Sequence, residues 1–200
     1  MKFLSHKSLG RAGVGALALL TGVANAHTGH DTAGAMAGLV HPLGLDHLLV
    51  MLAVGIWSVS ALPAGKSWWG PAVFMGTLLL SAALGALGLV VPFLEPMVSL
   101  SVVLLGAMLI LSRQGTPVPL GLTLVALVAS VHGMAHGVET PVSGFATYAL
   151  GFLLSTAALH FGGIVAARGI GRYLARAATW VISALGAVFG GAGFYLLCQL

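Results

Sequence analysis

The sequence predicts an all-α membrane protein, a six-transmembrane-helix bundle behind a cleaved N-terminal signal peptide. Three observations carry that fold class. Hydrophobic residues make up 58% of the 200-residue chain and charged residues only 6%, too little charge to cover the surface of a soluble domain of this size. Apolar stretches of about 20 residues recur, long enough to cross about 30 Å of hydrocarbon at 1.5 Å per helical residue, though the third is short at its edges. The N-terminus then reads as a targeting segment. "MKFLSHKSLGR" supplies positive charge, "AGVGALALLTGV" a short apolar core, and "ANA" a small-residue cleavage site before His27.

The predicted organisation is a signal peptide over residues 1–26 and a single transmembrane domain over 27–200. Its hydrophobic segments run over about 39–62, 71–91, 96–111, 118–138, 145–167 and 178–199, with Pro and Gly at the joins. Removal of the signal peptide leaves the mature N-terminus outside the cytoplasm. Loops after the first, third and fifth segments are then cytoplasmic, and they hold Lys66, Arg113, Arg168, Arg172 and Arg176. The opposite side holds Asp31, Glu95 and Glu139 without a mature Lys or Arg, so the positive-inside rule is obeyed. This orientation puts the mature N- and C-termini on the outer side of the membrane. An uncleaved first helix would invert the pattern.

Other classes fit poorly. The net charge of +4 comes without a basic, aromatic-interleaved surface, so no nucleic-acid partner is expected. The single cysteine, Cys198, excludes an intrachain disulfide and reads as an apolar filler. No phosphate-binding Gly-rich loop with its lysine occurs, so no ATPase is built in. Glycines spaced by four residues, Gly133 with Gly137 and Gly186 with Gly190, predict close helix approach. Trp57, Trp68, Trp69 and Trp180 read as an interfacial belt.

The chemistry lies in what the spans should avoid. Of eight His and four acidic residues, seven fall within or at the ends of spans: His41, Asp46, His47, His132, His136, Glu139 and His160. An ionisable group at the centre of a bilayer costs about 2.5–3.5 kcal/mol even on insertion scales. In "VHGMAHGVE", His132 and His136 lie about 40° apart on a helix, with Glu139 within roughly 20° of His132. Two imidazoles at i and i+4 suit one metal ion, and a carboxylate a turn on can ligate it or orient a ligand.

In "HPLGLDH", His41 precedes Pro42 at the expected helix start. Asp46, read as lying past the first turn, can fix an imidazole or carry a proton while His47 ligates. The predicted topology brings both motifs into the outer half of the bilayer. His160 falls about 22 Å from the outer end of the fifth segment, the position of an inner relay or of a packed histidine. "HTGHD" offers His27, His30 and Asp31 as a weak outer collector or as a solvated tail.

The motifs "HPLGLDH", "HGMAHGVETP" and "GFLLSTAALHFGG" together resemble the HupE/UreJ family of bacterial membrane proteins, over essentially the whole chain. That resemblance implies a nickel permease or metal-uptake protein associated with hydrogenase or urease, and no enzyme. It implies His41, Asp46, His47, His132, His136 and Glu139 as the metal site, with His160 in the fifth-helix motif. An aromatic is expected just before the first histidine of the second motif, where Val131 stands. Imidazole and carboxylate donors suit nickel, cobalt, zinc or copper(II), and donor chemistry by itself does not choose among them. By that resemblance the expected cargo is Ni2+, with Co2+ or Zn2+ as alternatives, the expected place a bacterial inner membrane with both mature termini periplasmic, and no cofactor is permanently bound. The expected partners are the ion, the lipid bilayer and, in a homo-oligomer, further copies of the chain. Two rival readings use the same residues: an intramembrane zinc-dependent hydrolase and a bis-histidine haem protein.

Overall fold

The structure is a computed structural model that describes residues 34–112, 114–140 and 144–200. The expected signal peptide, the collector residues His27, His30 and Asp31, and Arg113 lie outside the described residues. The described chain forms α1 (Ala35–Val40), a 3-10 turn (His41–Leu43), α2 (Leu45–Ala61), α3 (Trp69–Ala86), α4 (Leu94–Leu111), α5 (Val118–Val138), α6 (Phe145–Tyr173) and α7 (Ala178–Leu197). No strand occurs among the described residues. Five helices, α3 to α7, are long and apolar enough to cross a membrane.

The first predicted span is not one helix. Ala35–Leu43 and Leu45–Ala61 pass the length and hydropathy test only together, and they are bent by 77° at their junction. The cause is local: Pro42 has no backbone N–H to continue a helical ladder, and Gly44 adopts an extended conformation at φ −53°, ψ 143°. The break shortens the second half, so Asp46 stands in the first turn of α2 rather than beyond it. There its Oδ1 accepts from the backbone N–H of His47 at 2.8 Å. That satisfies one of the donors a helix N-terminus leaves open, and the positive end of the helix dipole favours the carboxylate.

The fifth segment is longer than expected. α6 continues to Tyr173, through the "RGIGRY" stretch read as a loop, because neither Pro nor a polar turn interrupts it. Arg168 donates to Ser67 Oγ at 3.1 Å, and Lys66 lies 4.2 Å from the Trp69 ring centroid. The α2–α3 connection and the C-terminal part of α6 therefore meet at one end of the bundle.

The helices pack mainly in pairs: α3 with α5, α4 with α7, and α6 with both α1 and α2. Small residues set these approaches. A Cβ on Gly106 of α4 would lie 2.6 Å from the Gly186 carbonyl oxygen and the Gly190 amide nitrogen of α7. On α5, a Cβ on Gly137 would run into the Ala82 carbonyl of α3. Backbone atoms cannot swing aside, so Gly137→Val should destabilise the bundle by about 1–3 kcal/mol. The control is Gly76→Ala, which meets open space in a helix interior and should gain about 0.5–1 kcal/mol. Thermal unfolding of the two purified variants checks both.

Two expected placements are corrected. Trp57 is no belt residue: it is 2% exposed in the core, its ring filling the space beside Gly121, while Trp68 and Trp180 are exposed. Cys198 is exposed just past α7 rather than packed as a filler.

Candidate metal centre

The break in the first span positions the site. It delivers His41 in the 3-10 turn and His47 in the first turn of α2, and the C-terminal part of α5 brings His136 against them. The ring centroids are 4.9 Å apart for His41–His47, 4.5 Å for His41–His136 and 5.0 Å for His47–His136. One ring nitrogen from each lies within 4.8 Å of the other two. Imidazole nitrogens bind zinc-like ions at about 2.0–2.1 Å, so donors on one ion stand no more than about 4.2 Å apart. Side-chain shifts of under about 1 Å would close the group on an ion.

The outer nitrogens are already engaged. His47 Nδ1–H donates to Asp46 Oδ1 at 2.9 Å, and since an ionised carboxylate only accepts, the proton sits on Nδ1. Glu139 Oε2 is 3.4 Å from His41 Nδ1. Tyr148 Oη is 3.3 Å from His136 Nδ1. Each ring thus has an oxygen behind its Nδ1, the arrangement in which a second shell fixes the tautomer and raises ligand basicity. The Nε2 atoms of His47 and His136 are buried with no hydrogen-bond partner. A buried polar atom without a partner is uncommon, and two on neighbouring rings fit a cation that both would ligate.

The predicted stripe on α5 is divided between two neighbours. His136 stacks on Phe152 at 4.5 Å with a 14° interplanar angle, close to the three-histidine group. His132, one turn away, instead contacts Ser101 of α4 through Nε2 at 2.8 Å and sits 4.6 Å from the His47 ring. Glu139 is at the end of α5, behind His41. His160 is buried in α6 with both ring nitrogens unpartnered. Phe74 of α3 touches its ring edge-on at 4.9 Å and lies 6.4 Å from His132.

The profile of the HupE / UreJ protein family matches residues 15–196. The chain belongs to the HupE/UreJ family. Protein HupE of Rhizobium leguminosarum bv. viciae is similar to it at 39% identity over 147 residues, covering 72% of this chain and 76% of that protein. No solved structure matches. Several apolar helices fit a multi-pass membrane protein, as the sequence of this HupE/UreJ protein predicts.

Four residues of the centre escaped the sequence reading of this HupE/UreJ protein: Ser101, Tyr148, Phe152 and Phe74. Tyr148 and Phe152 are one turn apart on α6, and a lone tyrosine four residues before a phenylalanine was the only available hint. Val131, where an aromatic was expected, packs with Val98 and Ala135 in a small cluster beside the site.

Proposed function

We propose that this protein is a six-span inner-membrane permease for a divalent transition metal, nickel foremost, that supplies hydrogenase or urease maturation. The bent pair α1–α2 counts as the first span in this reading. The observation that carries it is the convergence of His41, His47 and His136 on one point, with two unpartnered Nε2 atoms among them. Broken helices with irregular backbone inside the bilayer occur where they line a site, and transporters place ion sites at such breaks. The donor set suits cobalt and zinc as well, so nickel as the cargo rests on membership of the HupE/UreJ family.

In this account the ion enters from the periplasmic side and exchanges water for the three imidazoles. Asp46 and Glu139 stay behind the rings as orienting carboxylates and offset the ion's charge. His132 and His160 mark the way inward. A metal ion needs unprotonated imidazole nitrogens, so protons compete with it. Binding should weaken as the medium is acidified, and titration of the purified protein with nickel across pH 5 to 8 checks this.

The direct functional test is uptake of nickel, cobalt and zinc, traced separately, in cells that lack their own nickel importer. Uptake that prefers nickel, and that His136→Ala abolishes at matched membrane abundance, is the expected result. Wild-type protein that binds metal but carries none across would instead favour the hydrolase.

A further inference from the structure

The mechanism above leaves one polar contact unused. Ser101 of α4 is 5% exposed, and its Oγ is within hydrogen-bond distance of two groups. It donates to the Val98 carbonyl at 2.6 Å and lies 2.8 Å from His132 Nε2. A hydroxyl has one proton to give. With that hydrogen donated to the Val98 carbonyl, the serine oxygen can only accept from His132, so His132 carries its hydrogen on Nε2. The other ring nitrogen points the same way. His132 Nδ1 is buried and has no partner. An orphaned buried N–H is rarer and more costly than an under-used acceptor, so Nδ1 is the bare nitrogen.

A bare nitrogen on a ring that neighbours the three-histidine group can serve as a ligand. The His132 ring lies 4.6 Å from that of His47, which belongs to the group. His132 is also one helical turn, about 6 Å, farther from the outer end of α5 than His136. Beyond it come Phe74 and then His160. Without the serine, His132 could place its proton on either nitrogen, and half of that choice would point an N–H at an incoming cation.

We propose that Ser101 is a positioning residue that fixes His132 in the Nε2–H tautomer, making His132 Nδ1 the donor that receives the ion from His41, His47 and His136. This rests on the permease reading. It predicts a split between binding and transport, because Ser101 does not touch the three-histidine group. Ser101→Ala should lower nickel uptake about tenfold, the scale on which loss of a ligand-orienting partner is felt. It should leave the nickel affinity of the purified protein within about twofold. Ser101→Thr, which keeps the hydroxyl, should retain uptake within about threefold.

The decisive readout needs no transport. Nitrogen-15 spectra of metal-free, histidine-labelled full-length protein separate protonated from unprotonated ring nitrogens, with His132 assigned by its loss in His132→Gln. The expected wild-type result is a protonated Nε2 and a bare Nδ1. Ser101→Ala should then give a mixture of tautomers. A protonated Nδ1 in the wild type, or full uptake by Ser101→Ala, overturns the role of Ser101 and leaves the permease intact. Failure of the wild type to carry nickel, whatever the tautomer, removes the permease and the hand-over together.

Discussion

Replacing His136 with alanine should lower nickel affinity more than about 100-fold, beyond the range that loss of an orienting partner produces. Three features make this the largest expected effect. His136 contributes one of three convergent nitrogens, so its loss leaves two, too few to displace the water of a divalent ion at comparable affinity. Its ring stacks on Phe152 and is backed by Tyr148, so neither neighbour offers a replacement nitrogen. The residue is fully buried, and the space left would be lined by aromatic rings. His47→Ala should behave alike, since its Nε2 is likewise buried without a partner. Equilibrium dialysis of the purified variants against nickel is the measurement. Folding is controlled by unfolding temperature without metal, which should fall through the cavity left and the lost Tyr148 contact, partly offset by removal of the unpartnered Nε2.

The second large effect belongs to Asp46. Its carboxylate accepts from both the backbone N–H and the Nδ1–H of His47, at 2.8 Å and 2.9 Å. The first bond anchors the start of α2, and the second aims the imidazole. Asp46→Asn keeps an acceptor of the same shape but removes the charge that makes the imidazole more basic. It should cost about tenfold in nickel affinity. Asp46→Ala removes the acceptor as well, frees the His47 ring and should cost about 100-fold. A graded loss, Asn milder than Ala, separates an orienting carboxylate from a direct ligand. Were Asp46 bound to the metal itself, Asn would be nearly as damaging as Ala. The same dialysis measurement resolves the two.

How much of this was legible in the sequence depended on the physical signal. The apolar segments were readable because the bilayer imposes length and composition on each span. The α5 glycines were readable because close packing needs small residues at helical spacing, and Gly133 and Gly137 meet α3 as that spacing implies. The break in the first span was only half readable. "HPLG" contains both breakers, but Pro at a helix start and Pro at a kink look alike until Gly44 is seen extended.

The site was legible as a set of residues and not as a geometry. Helical periodicity places His132 and His136 on one stripe, but 40° of rotation is enough at a crowded helix junction for the rings to meet different neighbours. One meets Ser101 and the other His41 and Tyr148. Ser101 itself carried no signal. Serines in apolar helices usually bond to their own preceding turn, as Ser58 does to Val54 and Ser81 to Thr77, and nothing in sequence marks the one that also reaches a histidine. Glu139 and Asp46 were read as ligands or orienting groups alike. The contacts to Nδ1 favour the orienting role.

X-ray absorption at the nickel edge of the purified, nickel-loaded protein tests the three-imidazole site most directly. The multiple-scattering pattern of coordinated imidazole should fit at least three rings in the wild type. It should fall by one ring in His136→Ala loaded at high nickel concentration, with Asp46→Asn keeping the wild-type count. A spectrum fitted by oxygen ligands with one imidazole or none, unchanged in His136→Ala, would contradict the site.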